Sequence, residues 1–126
     1  DGEKTLPPVE ISVTKGIYDT DARLDPERIQ HFCPVRPESL AALGADPAAA
    51  REALERAALE VYTAYGCRDL ARIDFIWDGH HVMVMGLKTF PGLTETSLVP
   101  MAIEAAGCAV EDVLAQLVEG ALKRGN

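Results

Sequence analysis

Basic residues are scarce in this chain: 12 lysines and arginines stand against 20 aspartates and glutamates, which gives a formal net charge of −8. That charge repels the phosphate backbone and argues against non-specific nucleic-acid binding, so any bound phosphate must be held locally. Long apolar runs are also missing, since none approaches the ~18 residues that a membrane span requires. The sequence therefore predicts a protein that binds neither nucleic acid nor a membrane.

Cysteine is rare as well: Cys33, Cys67 and Cys108 show no C-x-x-C spacing. Their odd number and spacing argue against a disulfide framework and predict reduced, buried thiols. An apolar share of 48% over 126 residues fits one compact domain, residues 1–126, in the cytoplasm. The first residue is Asp1 rather than a methionine, so we expect that translation does not start here.

Periodicity and turn residues predict the order of the elements. Alternating apolar residues indicate a strand at 9–13 and a short strand at 29–33 that stops at Pro34, and Pro37 is expected to prolong the irregular stretch. Residues 15–28 are polar and are predicted to form a long, lid-like loop. Asp46 as N-cap, followed by Pro47, predicts a helix that ends at Gly66. Two further helices are expected at 98–106 and 110–122. The second should place one apolar stripe on the core: Val113, Leu114, Leu117, Val118 and Leu122.

An antiparallel hairpin is predicted around Asp78 and Gly79, which separate apolar segments at 70–77 and 80–87. Its register decides which residues lie opposite Arg72 and Asp74. A two-residue loop gives Met83 and Met85, whereas a three-residue loop with a bulged Gly79 gives Val82, Val84 and Gly86. We favour the bulge, because it separates an apolar face from a polar one. The apolar face then holds Ala71, Ile73, Phe75, Met83, Met85 and Leu87, and the polar face holds Arg72, Asp74, Gly86 and Lys88.

Two places could carry chemistry. Arg72 and Asp74 point to the same side of one strand and could clamp a phosphate or hold a metal, although such pairs are commonly just solvated charges on a sheet face. The polar turn at 88–98 leads into a helix and could offer amides to an anion, or it could be an ordinary N-cap formed by Thr96 or Ser97. The adjacent His80 and His81 point to opposite strand faces, which argues against a shared metal ion.

Three stretches carry a resemblance to a known family: A-R-I-D-F at 71–75, T-F-P-G-L-T-E-T-S-L-V-P at 89–100 and A-A-G at 105–107. Support comes from L-P-P-V-E-I at 6–11, Y-D at 18–19, F-C-P at 32–34 and G-C-R-D at 66–69. Over essentially its whole length the chain resembles the C-terminal part of the D-alanine:D-alanine ligase family. The resemblance implies an α+β fold, with an antiparallel sheet and helices on one face, as the C-terminal lobe of an ATP-grasp protein. The family's N-terminal lobe has no counterpart in this sequence.

The resemblance also implies an activity and its residues. The family joins two D-alanines for the peptidoglycan precursor and uses ATP and Mg²⁺. Arg72 and the Gly92 amide correspond to the groups that stabilise the tetrahedral oxyanion. Asp74 corresponds to a magnesium ligand, and Ser97 with the Leu98 amide corresponds to the site for the carboxylate of the acceptor D-alanine.

Glu10, Arg23 and Lys88 are expected to face the nucleotide. Arg23 stands where the family's lid loop carries a phosphate-contacting lysine, and Leu24 stands where many relatives have tyrosine. Gly86 and Lys88 occupy the two metal-ligand positions of the family's Glu-x-Asn motif. Since Mg²⁺ needs several oxygen ligands, one remaining carboxylate makes a poor site.

Three functional hypotheses arise from the resemblance and these departures. The first is a ligase fragment or variant whose isolated activity is absent or low. The second is a non-catalytic module that binds a nucleotide or an anion. The third is a scaffold that a partner chain completes by supplying the missing N-terminal lobe, with a homo-oligomer as a related arrangement.

Overall fold

The computed structural model describes residues 3–125 and alternates short strands with helices. The elements in chain order are β1 (Glu10–Val13), α1 (Thr20–Leu24), β2 (Ile29–Phe32), α2 (Pro37–Ala42), α3 (Pro47–Ala64), β3 (Arg72–Trp77), β4 (Val82–Lys88), α4 (Leu98–Ala105) and α5 (Val110–Gly125). Within the described residues, β1 pairs with β2 and β3 pairs with β4, each pair antiparallel. The predicted α+β class with antiparallel pairing is confirmed, and the pairing is divided between two sheets.

The first sheet joins the two predicted strands, with Ile11 opposite His31. Residues 15–28 were expected to form a long loop between these strands, but the structure places the short helix α1 within them. The Asp19 carboxylate accepts a hydrogen bond of 2.7 Å from the Ala22 amide and caps this helix. Ala22 is fully buried, which fixes α1 against the rest of the domain. The role of this segment as a lid stays a prediction.

Pro37 begins a helix instead of prolonging an irregular stretch, so that expectation was wrong. Proline suits the first helical position, where its missing N–H has no intrahelical partner. The next helix starts as predicted, since the Asp46 carboxylate accepts from the Ala49 amide at 3.0 Å. It ends at Ala64 with Tyr65 as its C-cap, and Gly66 follows with a φ of 62°. The two helices pack against each other, and α3 also contacts β4.

The loop of the second hairpin differs from both predicted alternatives. Trp77 pairs with Val82, so residues 78–81 form the loop. Asp78 Oδ1 closes it by accepting from the backbone amides of His80 at 2.9 Å and His81 at 2.7 Å. These two bonds also lower the pKa of Asp78 to about 2. The predicted three-residue loop is wrong because this side-chain cap stabilises a longer turn.

A bulge does occur in this hairpin, at Met85 in β4 instead of the glycine of the loop. Asp74 pairs with Gly86 and Phe75 pairs with Val84, so Met85 has no partner across the sheet. The prediction that Met83 and Met85 join the apolar face is therefore wrong: Met83 pairs with Ile76, and both methionines are exposed. The extra residue shifts the register between the turn and the sheet end where Arg72 lies.

The best-buried segment of the chain is α4, where Val99, Ala102 and Ile103 are buried at i, i+3, i+4 spacing. Helix α5 lies against α4, yet in the described chain it has no buried residue. The single core stripe predicted for α5 is wrong, because Val113 and Leu117 are half-buried while the others face outwards. The outward residues are Leu114, Val118 and Leu122.

The three cysteines are free, and only part of the prediction for them is confirmed. Cys33 and Cys67 are half-buried, whereas Cys108 is exposed and contradicts the expected burial. Burial raises the pKa of the Cys33 thiol. None of the helices in residues 3–125 combines the length and apolarity that a membrane crossing requires.

Candidate functional site

The candidate site begins on the polar face of hairpin β3–β4. Arg72 lies opposite Lys88, and Asp74 lies opposite Gly86. Directly opposed residues of an antiparallel pair share a face, so the predicted grouping of these four residues is confirmed. The bulge at Met85 produces it, because a ladder that continued from Trp77 and Val82 without an extra residue would set Arg72 opposite Leu87.

Arg72 and Asp74 form a two-pronged ion pair. Arg72 Nε donates to Asp74 Oδ1 at 2.9 Å, and Nη2 donates to Oδ2 at 3.1 Å. The side chains are 22% and 39% exposed, so solvent screens the pair and its contribution to stability is small. Each carboxylate oxygen of Asp74 accepts one hydrogen bond from Arg72, so the guanidinium balances the negative charge of this carboxylate.

The positions across the sheet from this pair are open. A Cβ added at Gly86 would meet only Asp74 Oδ2, at an ordinary contact distance of 4.0 Å. Lys88 is exposed and takes part in no ion pair within residues 3–125. Although Lys88 shares this face with Asp74, the carboxylate pairs with Arg72 and not with Lys88 in the described residues.

The turn after β4 forms the second part of the site. Pro91 is buried, and a Cβ on Gly92 would lie 2.9 Å from Ser97 Oγ, so glycine permits this close approach. Ser97 Oγ accepts from the Thr94 amide at 3.1 Å and lies 2.7 Å from Thr94 Oγ1. The hydroxyl of Ser97 therefore faces back into the turn.

Ser97 occupies the N-cap position of α4 without capping the helix through its side chain. The alternative of an ordinary N-cap by Ser97 is thus not what the structure has. The first amides of α4, beginning with Leu98, lack a side-chain acceptor among the described residues. A helix start of this kind suits a carboxylate or another small anion.

Glu10 is held by partners that the sequence did not reveal. Its carboxylate accepts from Arg36 Nη2 at 2.9 Å, from Arg36 Nε at 3.2 Å, from the Arg36 amide at 3.0 Å and from Ser39 Oγ at 2.7 Å. The Arg36 guanidinium, which also stacks 3.5 Å from the Phe32 ring centre, holds the pKa of Glu10 below its ordinary value of 4.5. Glu10 thus ties β1 to the start of α2 across 26 positions of sequence, a separation that no local pattern reports.

Arg23, the third residue expected near a nucleotide, lies in the last turn of α1 and is exposed. Leu24 beside it is 75% exposed, and Ile17 earlier in the same segment is 74% exposed. The segment therefore presents both apolar and basic groups outwards.

All the residues predicted for the site line one open cleft of about 1730 Å³. They are Glu10, Arg23, Arg72, Asp74, Lys88, Gly92, Ser97 and Leu98. The cleft runs along much of the chain. These residues therefore lie on one surface, but they do not all contact one another. Two groups do make contact: Arg72 with Asp74, and Gly92 with Ser97.

Magnesium does not fit the donor set on this face. Mg²⁺ requires near-octahedral oxygen ligation, commonly from carboxylates and phosphates. Asp74 is the only carboxylate of the four residues there, Arg72 already balances its charge, and Lys88 adds a positive charge. Across residues 3–125 no group of three or more His, Cys, Asp or Glu side chains is arranged to hold a metal ion.

Comparison with known proteins decides the family. The family described as "D-ala D-ala ligase C-terminus" matches residues 1–119. The chain belongs to the D-alanine:D-alanine ligase family. The D-alanine–D-alanine ligase of Desulforudis audaxviator is 35% identical over 121 residues, which are 96% of this chain and 37% of that protein. That of Moorella thermoacetica is 37% identical over 121 residues, covering 95% of this chain and 36% of the relative.

Solved structures of the family agree in fold. The D-alanine–D-alanine ligase of Bacillus anthracis matches with a TM-score of 0.67 and 28% identity over 94% of this chain, and a second structure of that ligase, complexed with ATP, matches equally. The domain is thus a C-terminal ATP-grasp lobe, as the resemblance implied. It spans a little over a third of the length of the ligases that it matches.

Proposed function

We propose that this chain supplies the acceptor side and part of the phosphate side of a site that joins two D-alanines with ATP. The observation that carries the proposal is the uncapped start of α4, in the cleft that Arg72 also lines. The Leu98 amide and Ser97 would hold the carboxylate of the acceptor. Arg72 and the Gly92 amide would stabilise the oxyanion that forms as the amine attacks the activated carbonyl.

The same proposal assigns Glu10, Arg23 and Lys88 to the nucleotide side, in different ways. Glu10 would act through Arg36, because its own oxygens are engaged. Arg23 and Lys88 are exposed cations that could meet phosphate oxygens directly. Since the family's metal-ligand positions hold Gly86 and Lys88, turnover by this chain is expected to be absent or very low. Segments of a ligase outside this sequence would complete the site.

Calorimetry with ATP and Mg²⁺ tests the proposal on this chain and on a Gly86→Glu, Lys88→Asn double variant. A glutamate at 86 has room and would start 4.0 Å from the Asp74 carboxylate, so the variant should bind the magnesium nucleotide more tightly. Lys123→Asn is the matched control for the loss of one lysine charge. If the unmodified chain binds magnesium nucleotide as tightly as the double variant, the metal-ligand reasoning is wrong.

A scaffold completed by a partner is the second candidate, and the exposed surface favours it. The accessible surface of 8651 Å² exceeds by about 2,000 Å² what a compact 13.6 kDa monomer has. Phe90 is 98% exposed and Tyr65 is 75% exposed, as expected of faces that another segment covers. Sedimentation of the isolated chain tests this candidate, and a stable, well-behaved monomer would count against it.

A further inference from the structure

The polar face of hairpin β3–β4 carries more positive than negative charge, although the chain as a whole is acidic. Arg72 and Lys88 are cations and Asp74 is the one anion among the four residues of this face. Gly86, the fourth, has no side chain that could add a carboxylate. The local formal charge is therefore +1, within a chain whose formal charge is −8.

The geometry brings the two cations together. Arg72 and Lys88 lie directly opposite each other in the ladder, which sets their Cβ atoms about 5 Å apart on one face. Asp74 uses two of the five N–H donors of Arg72, and the other three have no acceptor in the described chain. The Lys88 ammonium brings three more donors and is exposed. Asp74 thus orients the guanidinium and leaves three of its donors available.

The open side of this face is next to Gly86. A Cβ there would meet only Asp74 Oδ2, at 4.0 Å, so space remains beside the Arg72–Asp74 pair, in which the guanidinium balances the charge of that carboxylate. A small oxyanion could enter this space and accept from both cations. A divalent cation in the same place would meet the Lys88 ammonium and a carboxylate already bonded to Arg72, and both features disfavour it.

We infer that the Arg72–Lys88 face binds a phosphate-class oxyanion, such as pyrophosphate or the phosphates of a nucleotide, without a divalent metal. Lys88 takes over the charge that a metal ion would supply. The inference deepens the proposed function, because it names the ligand chemistry of the phosphate side of that site, and it rests on this function only for the identity of the natural ligand.

Calorimetry with two probes tests the inference: inorganic pyrophosphate in the presence of EDTA, and MgCl₂ alone. Both titrations use the 126-residue chain at constant low ionic strength, after circular dichroism has confirmed that each variant is folded. The expected result is pyrophosphate binding in EDTA and no Mg²⁺ binding. Lys88→Asn should weaken pyrophosphate binding about tenfold, the loss of one exposed charge-assisted contact. Lys88→Arg should retain it.

A charge-matched control separates the site from general electrostatics. Lys123→Asn removes the same charge from the exposed end of α5 and should leave pyrophosphate affinity unchanged. Equal weakening by both asparagine variants, absence of pyrophosphate binding by the folded chain, or tight binding of Mg²⁺ alone would each overturn the inference. If pyrophosphate binds as expected and neither the chain nor the double variant binds nucleotide, the inference stands and the proposed function falls.

Discussion

Gly79 at the tip of hairpin β3–β4 contacts the end of α2, and this contact predicts the effect of one substitution. Its φ is 99°, and a Cβ added there would lie 2.2 Å from the Leu43 carbonyl oxygen. No real Cβ tolerates that distance, so Gly79→Ala must move either the hairpin or the helix end. Because Arg72 and Lys88 belong to the same hairpin, this movement would also displace the residues of the candidate site.

The magnitude is the sum of two separable costs. Alanine at positive φ costs about 1 kcal/mol. The clash with Leu43 adds about 2 kcal/mol, within the range measured for overpacked positions. Gly107→Ala is the matched control, since Gly107 has a φ of 78° and nothing within 4 Å of its would-be Cβ. Gly79→Ala should therefore be less stable than Gly107→Ala by about 2 kcal/mol.

Thermal and urea unfolding followed by circular dichroism measures this difference. An unfolding entropy of about 2.1 cal/mol/K per residue makes 2 kcal/mol equal to roughly 8 °C in Tm for a chain of 126 residues. Equal destabilisation by the two variants would refute the contact between the hairpin tip and α2. A loss of pyrophosphate affinity in Gly79→Ala at a temperature where it is folded would show that the contact also positions the site.

Two further predictions concern the ties that hold the lobe together. Glu10→Gln should lower the free energy of unfolding at neutral pH by about 2 kcal/mol, because it leaves donors of Arg36 without a charged acceptor. Folding lowers the pKa of Glu10, so its contribution to the free energy of unfolding is complete above pH 4.5 and is lost as the pH falls through the folded-state pKa. Urea unfolding measured across this pH range should show that loss in the wild type and not in the variant. Arg124→Ala should lower the free energy of unfolding by no more than about 1 kcal/mol, since both side chains of its ion pair with Asp69 are more than a third exposed. It should nevertheless speed hydrogen exchange in α5 relative to Lys123→Ala. Unchanged exchange in α5 would mean that its contacts with α4 alone hold it.

Local signals predicted the elements that depend on them. Asp46 and Pro47 start α3 as expected, and the period-two pattern at 9–13 gives β1. Pro37 was misread because proline both breaks and begins helices, and only the packing of residues 37–42 against the rest of the chain decides between the two. The loop of hairpin β3–β4 was misplaced because Asp78 could cap a four-residue turn as well as a shorter one.

The sequence predicted which residues belong to the site better than it predicted how they are arranged. The family motif named Arg72, Asp74, Gly92 and Ser97, and the structure places them in two contacting groups in one cleft. The partners of Glu10 could not be predicted, since Arg36 and Ser39 lie 26 and 29 positions away. Nothing in the local pattern of either segment depends on that contact.

The sequence alone determined the family, the longer helices, the strands and the charge of each candidate side chain, because these depend on residue identity and short-range periodicity; the short helices α1 and α2 were not predicted. Only the tertiary structure decided that Asp74 is closed by Arg72, that Met85 bulges, and that Lys88 faces Arg72. The physical reason is that cross-strand partners depend on the number of residues between them, including one bulge, while residue chemistry does not. A shift of a single residue would have placed Leu87 opposite Arg72 and removed the cationic pair.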